Sequence, residues 1–248
     1  MTAEQANSTR WTEIELLPDW EEEFYHVYTA KKFGKWVMLK TLRPEFKDSP
    51  EHQAMIEREF DARYNLAHPN IVMVNDFEDI PGIGRCIITD DVYGLSLRKL
   101  IDQGKVTQHH IDQLTHQLVS ALGYIEANHI AHHPITADTI LFTENIENLK
   151  LIDVGYEQRP SLTPCDVKDD IYNYGLVLKE ALEASGIDNY TLNYIARKCL
   201  DPNPKRRFKT VDALRLAIDG RSSSTVLMGL LLMLIGIIGL LVPIMILK

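Results

Sequence analysis

Residues 132–155, HHPITADTILFTENIENLKLIDVG, gather side chains of the kinds that move protons and hold metal ions. His132 and His133 stand beside Pro134; Asp138 and Asp153 supply carboxylates, and Thr136 and Thr139 supply hydroxyls. The stretch reads as the place where an enzyme keeps a catalytic base and a metal ligand. With His129, the histidines form H-x-x-H-H, a ligand-like spacing for zinc, although one histidine packed in a core accounts for it equally well. Proline has no side-chain acceptor, so Asp138, four residues on, is the nearest carboxylate able to take a proton.

Such groups need elements to hold them. Upstream the chain reads as strands: FYHVYT and KWVMLKTL flank the turn AKKFG, and Trp36, Met38 and Lys40 alternate with Val37, Leu39 and Thr41. Ser49 then Pro50 opens a helix expected to run through about Ala67. IVMVNDFED and GRCIITDDV follow as strands around IPGIG. Downstream the period changes. Ile111, Leu114, Leu118, Leu122 and Ile125 share one helical face, as do Ile171, Tyr174, Leu178, Ala181 and Leu182. Shorter helices carry Leu192, Ile195 and Cys199, then Val211, Leu214 and Ile218, and TILF and LKLID form a small hairpin. A β-rich half followed by an α-rich half implies two lobes joined near Asp90 to Gly94.

The 26 basic and 35 acidic residues give a net charge of −9, with no basic stripe, so no nucleic-acid partner is expected. Cys86, Cys165 and Cys199 are far apart and form no C-x-x-C pair, which fits a reducing compartment. Residues 225–247, TVLMGLLLMLIGIIGLLVPIMIL, carry no charge and are long enough to cross a bilayer as a helix. Arg206, Arg207, Lys209, Arg215 and Arg221 precede this run and only Lys248 follows it. That bias places the N-terminal domain in the cytoplasm and the C-terminus across the membrane.

The order of these segments resembles the protein kinase fold over roughly residues 12 to 219. VMLK is similar to the strand carrying the phosphate-pairing lysine, here Lys40, and Glu59, ahead of HPNIV, matches its glutamate partner. ITDDVYGLSLRKLI is similar to the inter-lobe crossing, with Thr89 as gatekeeper; KLIDVG resembles the strand ending in D-F-G; DDIYNYG resembles the start of the central helix. CLDPNPKRRFKTVDAL is similar to the closing helices. The implied fold class is α+β, a bilobal protein kinase-like domain plus one C-terminal transmembrane helix. Its parts would be a disordered N-terminus at 1–11, a β-rich N-lobe at 12–91, an α-helical C-lobe at 92–219, a juxtamembrane linker at 220–224 and the span at 225–247.

Departures from the family pattern shape the functional expectation. No glycine occurs between Trp20 and Val27, where the family covers the phosphates with a glycine-rich loop; Glu21, Glu22 and Glu23 would place negative charge near a nucleotide's phosphates there, or stand as a solvated charge run before a strand. The resemblance leaves no catalytic residue: Pro134 occupies the base position, Thr136 replaces a lysine and Thr139 replaces the metal-binding asparagine. Lys40, Glu59 and Asp153 remain as a vestigial nucleotide site, with Asp153 the metal ligand; Lys40 and Glu59 read equally well as a structural ion pair. Only 14 residues separate Gly155 from Asp170, shorter than the family's activation segment, and no helix fits within ASGIDNY. Asp170 is expected to bond the backbone of the catalytic loop, and Arg207 to tie a loop nearby.

The resulting expectation is a pseudokinase and not an enzyme, with no required cofactor, scaffolding or regulating protein partners at the lipid bilayer. A bacterial membrane is favoured. One alternative is a sensor that binds ATP with magnesium without phosphotransfer; another is an atypical enzyme using Asp138 or the histidines.

Overall fold

The computed structural model describes residues 10–220 apart from 93, 131, 145–147, 153 and 155–161. Its first strand, β1 (Trp11–Leu16), begins inside the segment expected to be disordered: Trp11 is buried and Arg10 pairs with Glu78 at 2.5 Å. It edges a five-stranded antiparallel sheet with β2 (Tyr25–Lys32), β3 (Lys35–Leu42), β4 (Val74–Ile80) and β5 (Gly84–Asp90), in the order β1-β2-β3-β5-β4. The β2–β3 hairpin turns on Phe33 and Gly34, both at positive φ (51° and 81°). This shape matches the right-handed twist of the flanking strands, and Gly34 adopts it without strain.

Strand alternation gives this sheet two working faces. One carries Trp11, Ala30, Val37, Leu39, Ile80, Cys86 and Ile88. The other carries Tyr25, Leu42, Val74 and Ile87 against Ile56 of helix α1 (Pro50–Tyr64). Leu39 and Ile87 are fully buried, each worth about 1.5–3 kcal/mol of apolar burial. Helix α1 ends at Tyr64, short of the expected Ala67, because Asn65 leaves the helical region and its N–H turns back to the carbonyl of Arg63. Ile71 pairs singly with Leu151, so the next strand starts at Val74 and not at Ile71.

The second lobe hangs on a three-stranded sheet, β6 (Gly94–Ser96), β7 (Ile140–Thr143) and β8 (Leu149–Leu151). A Cβ at Gly94 would lie 1.9 Å from the carbonyl oxygen of Phe142, so only glycine lets β6 approach β7. Helix α2 (Leu97–Asp102) follows, capped by the Ser96 hydroxyl accepting from Lys99 N–H. Next comes a long helix formed by α3 (Gln108–Gln113), a π-helical stretch (Leu114–Leu118) and α4 (Val119–Ala127). All five residues of its expected apolar face are buried.

Helix α5 (Pro164–Ser185) begins a turn before the expected DDIYNYG, with Thr163 and Asp166 as a reciprocal capping box, and ends on Gly186 at φ 65°. Helix α6 (Tyr190–Cys199) starts after Gly186–Asn189, leaving no intervening helix, and α7 (Val211–Ile218) closes the lobe. Gly175 of α5 meets Cys199 of α6 so closely that a Cβ there would lie 2.5 Å from the cysteine Cβ. The three cysteines are free. Among the described residues no helix is long and apolar enough to cross a membrane; the expected span at 225–247 lies outside them.

Candidate functional site

Lys40 sits on β3, hydrogen-bonded on both sides, opposite Val27 of β2 and Ile87 of β5. A central strand fixes the backbone, and its alternation puts Lys40 on the same face as Leu42, toward α1. There Nζ donates to Glu59 Oε1 at 3.1 Å, a second Glu59 neighbour being Arg63, whose Nη1 donates at 2.7 Å from one helical turn away. All three residues are buried. Burial by itself would raise the Glu59 carboxyl, but the charges of Lys40 and Arg63 and their hydrogen bonds hold its pKa below the ordinary value. The pair is therefore no exposed contact worth a fraction of a kcal/mol. Removing one partner would leave a buried charge uncompensated. The Lys40 ammonium also lies over the fully buried Tyr25 ring, 4.3 Å from its centroid.

Beside Lys40 opens a cleft of about 510 Å³ between the lobes. Val27 and Met38 line it from above, Leu141 and Ile152 from below, and Thr89 and Val92 at the crossing. Of the glutamates ahead of β2, Glu21 and Glu23 are exposed while Glu22 is drawn inward. Glu22 Oε2 lies 2.8 Å from Lys40 Nζ, and Glu21 Oε1 lies 2.7 Å from His26 Nδ1.

The lower wall is differently made. Pro134 is exposed, and Thr136 and Thr139 bond each other: Thr136 N–H donates to the Thr139 hydroxyl at 3.0 Å, which donates to the Thr136 carbonyl at 3.1 Å. Asp138 is largely exposed, with Arg98 Nε 3.8 Å away. Asp153 lies outside the described residues.

His132 is buried and committed. Its Nε2 and Asp170 Oδ2 are 3.2 Å apart, and its Nδ1 is 2.6 Å from the carbonyl oxygen of His133. Asp170 meets the loop through the His132 side chain, where a bond to the loop backbone was expected, and of the H-x-x-H-H histidines His132 packs inside while His129 is exposed. Among the described residues no group of three His, Cys, Asp or Glu side chains is placed to hold a metal ion. Arg207, not Arg206, is the tying arginine: it donates to the carbonyls of Lys168 (3.0 Å) and Asp201 (2.9 Å) and stacks 4.6 Å from the Tyr172 ring centroid.

The resemblance brought Lys40 and Glu59 together; Arg63, as Glu59's second partner, and Trp20, on the apolar side of the cleft, were missed. Arg63 carried a signal, its i,i+4 spacing from Glu59. Glu22 carried one too, since Glu21 to Glu23 stand where the family covers the phosphates; what the sequence did not name was its partner, Lys40.

The chain matches the protein kinase domain family over residues 23–169, more than half its length. It belongs to that family. The kinase domain is 28% identical over 198 residues to the serine/threonine-protein kinase PknD of Mycobacterium tuberculosis, covering 76% of this chain and 29% of that protein. It is 27% identical over 183 residues to PrkC of Bacillus subtilis, another protein named a serine/threonine kinase, covering 63% of this chain and 28% of that protein. The chain thus spans less than a third of these relatives. Among solved structures, the M. tuberculosis PknI kinase domain superposes with a TM-score of 0.60 at 19% identity, covering 86% of this chain and 96% of that one, which shows the fold.

These matches overturn the expectation that the chain is not an enzyme: the family and its named relatives point to a kinase enzyme. The expectation rested on the joint loss of glycine loop, base, metal-binding asparagine and substrate platform, and none of these losses by itself excludes catalysis. Phosphoryl transfer passes through a loose transition state with little covalent work for the protein, so positioning and electrostatics dominate.

The residues described fit the nucleoside part of ATP, through the apolar slot of Val27, Leu141 and Ile152. At the phosphate end they offer the Lys40 ammonium, which Glu59 and Glu22 share.

Proposed function

We propose that this kinase domain binds ATP in the inter-lobe cleft and transfers phosphate to serine or threonine hydroxyls at a reduced rate, beside a membrane. The single observation that carries the reading is the assembled Lys40–Glu59 pair, 3.1 Å long and buried, at the edge of a cleft lined for a flat apolar base. Bound ATP with magnesium would supply the phosphoryl group. Lys40 would hold its phosphates, Glu59 would orient Lys40, and Asp153 would hold the metal. The acceptor specificity is borrowed from the names of the relatives, PknD and PrkC.

The slow rate follows from Pro134. A positioned base contributes about 10²–10⁴-fold in rate, and among the described residues near Pro134 the lower wall presents the exposed Asp138 in its place. Attachment to the bilayer through residues 225–247, with protein partners at its surface, rests on their uncharged composition and on the basic residues before them.

The test is transfer of labelled γ-phosphate from ATP to a serine- and threonine-containing protein acceptor by the full chain in detergent. Activity abolished by Lys40→Met supports the proposal; no transfer above the Lys40→Met background sinks it.

A further inference from the structure

The connector between β1 and β2 lies in the cleft it borders. Leu17 N–H donates to the Val27 carbonyl at 2.8 Å, and Glu22 N–H to the Tyr25 carbonyl at 3.1 Å, which fixes both ends. Between them a short 3₁₀ turn (Pro18–Trp20) carries Trp20 onto Val72, Val92 and Leu141, apolar residues that all line the cleft. Two residues on, the Glu22 carboxylate meets Lys40 Nζ at 2.8 Å, closer than Glu59 does at 3.1 Å. Glu21 braces the turn through His26 (2.7 Å) and Arg43 (3.6 Å).

We infer that this connector is an internal ligand of the cleft, its indole on the base slot and its carboxylate on the ammonium, and that a nucleotide enters by displacing it. The inference rests on the nucleotide reading above. Its chemistry is that of like occupying like. An indole and a purine are both flat and largely apolar, and a carboxylate and a phosphate are both anions that accept from an ammonium. Lys40 already serves Glu59 and Glu22, so a third anion meets repulsion from Glu22 unless that side chain leaves. Glu22 is 32% exposed, enough for water to take over its solvation when it swings out. Trp20 and Glu22 therefore set what the cleft takes: Glu22 discriminates by ligand charge, and Trp20 acts on any ligand carrying the base.

Calorimetric titration of the full chain in detergent with adenosine, ADP and ATP, with magnesium present, separates the two roles. Glu22→Gln is expected to tighten ADP and ATP roughly tenfold and leave adenosine unchanged, since only charge repulsion is relieved. Trp20→Ala is expected to tighten all three. As an independent readout, ADP should shift tryptophan emission in the native chain and not in Trp20→Phe, a conservative variant that keeps the packing. The inference is overturned if Glu22→Gln tightens adenosine as much as ADP, weakens ADP, or leaves both unchanged while the native chain binds them. If neither the native chain nor any variant binds adenosine or a nucleotide, the nucleotide reading itself falls and takes this inference with it.

Discussion

The upper and lower walls of the cleft meet a ligand with different equipment. Above, Lys40, Glu59 and Arg63 form a charged trio with all three members buried, set on a central strand and a fifteen-residue helix. Below, the loop from His133 to Thr139 presents an exposed proline, an exposed aspartate and two threonines whose hydroxyls bond the loop's own backbone: Thr139 with Thr136 N–H and carbonyl, Thr136 with Asp138 N–H. The difference lies in how each wall is tied to the fold. A change to one member of the trio strands a charge in the interior, so the upper wall and the N-lobe stand or fall together. The exposed positions of the lower loop make no such demand; what it must keep is His132 against Asp170, and that contact is present at 3.2 Å. On the proposed function, the parts that would position a nucleotide are held as part of the fold's stability, and the position where a base would stand is left free of it.

The sharpest way to break this comparison is Glu59→Ala, which leaves Lys40 and Arg63 buried without their shared acceptor. A loss of about 3–5 kcal/mol in unfolding free energy is expected by denaturant titration. A loss under about 1 kcal/mol would mean that the trio is no structural anchor. The same carboxylate gives a pH signature. Its folded pKa lies below the ordinary 4.5, so its contribution is fully present above that value and fades as pH falls through the folded pKa. Stability of Glu59→Gln should accordingly fall less steeply than that of the native chain as the pH is lowered from 4.5.

Next in size is Pro134→Asp, which restores a carboxylate to the lower wall. Phosphate transfer should rise about 10²-fold, the lower end of what a positioned base supplies, with little change in nucleotide affinity. An unchanged rate would show that the upper wall, and not the absent base, limits the chemistry.

The same contrast explains what the sequence made legible. The lobe order and the α5 face of Ile171, Tyr174, Leu178, Ala181 and Leu182 follow from periodicity, because strands and helices impose 2.0- and 3.6-residue spacing on their buried sides, whereas the Lys40–Glu59 pair follows from the resemblance of VMLK and the helix ahead of HPNIV to the kinase pattern. Contacts made by irregular chain were not legible. Glu22 reaches Lys40 only because β2 pairs with β3 in a register that sets Val27 opposite Lys40. Trp20 gave no sign of its apolar cluster, since its neighbours Val72, Val92 and Leu141 come from three separate segments. Asp170 was placed correctly beside the loop and His132 as a packed histidine, but not as each other's partners, since they come from segments 38 residues apart.

The smallest expected effect tests whether the lower wall is as idle as it looks. Asp138 is the carboxylate nearest Pro134, yet 67% of its side chain is exposed and the Arg98 Nε beside it stands 3.8 Å away. An exposed pair of this length contributes about 0–1 kcal/mol, and Arg98 has a closer partner in Glu180 at 3.0 Å. Asp138→Asn should therefore shift stability by no more than about 0.5 kcal/mol and alter phosphate transfer by about twofold at most. A drop approaching 10²-fold would assign Asp138 the base's work. Combining it with Pro134→Asp would then distinguish substitution from redundancy: a restored base at 134 makes Asp138→Asn harmless only if the two carboxylates do the same job.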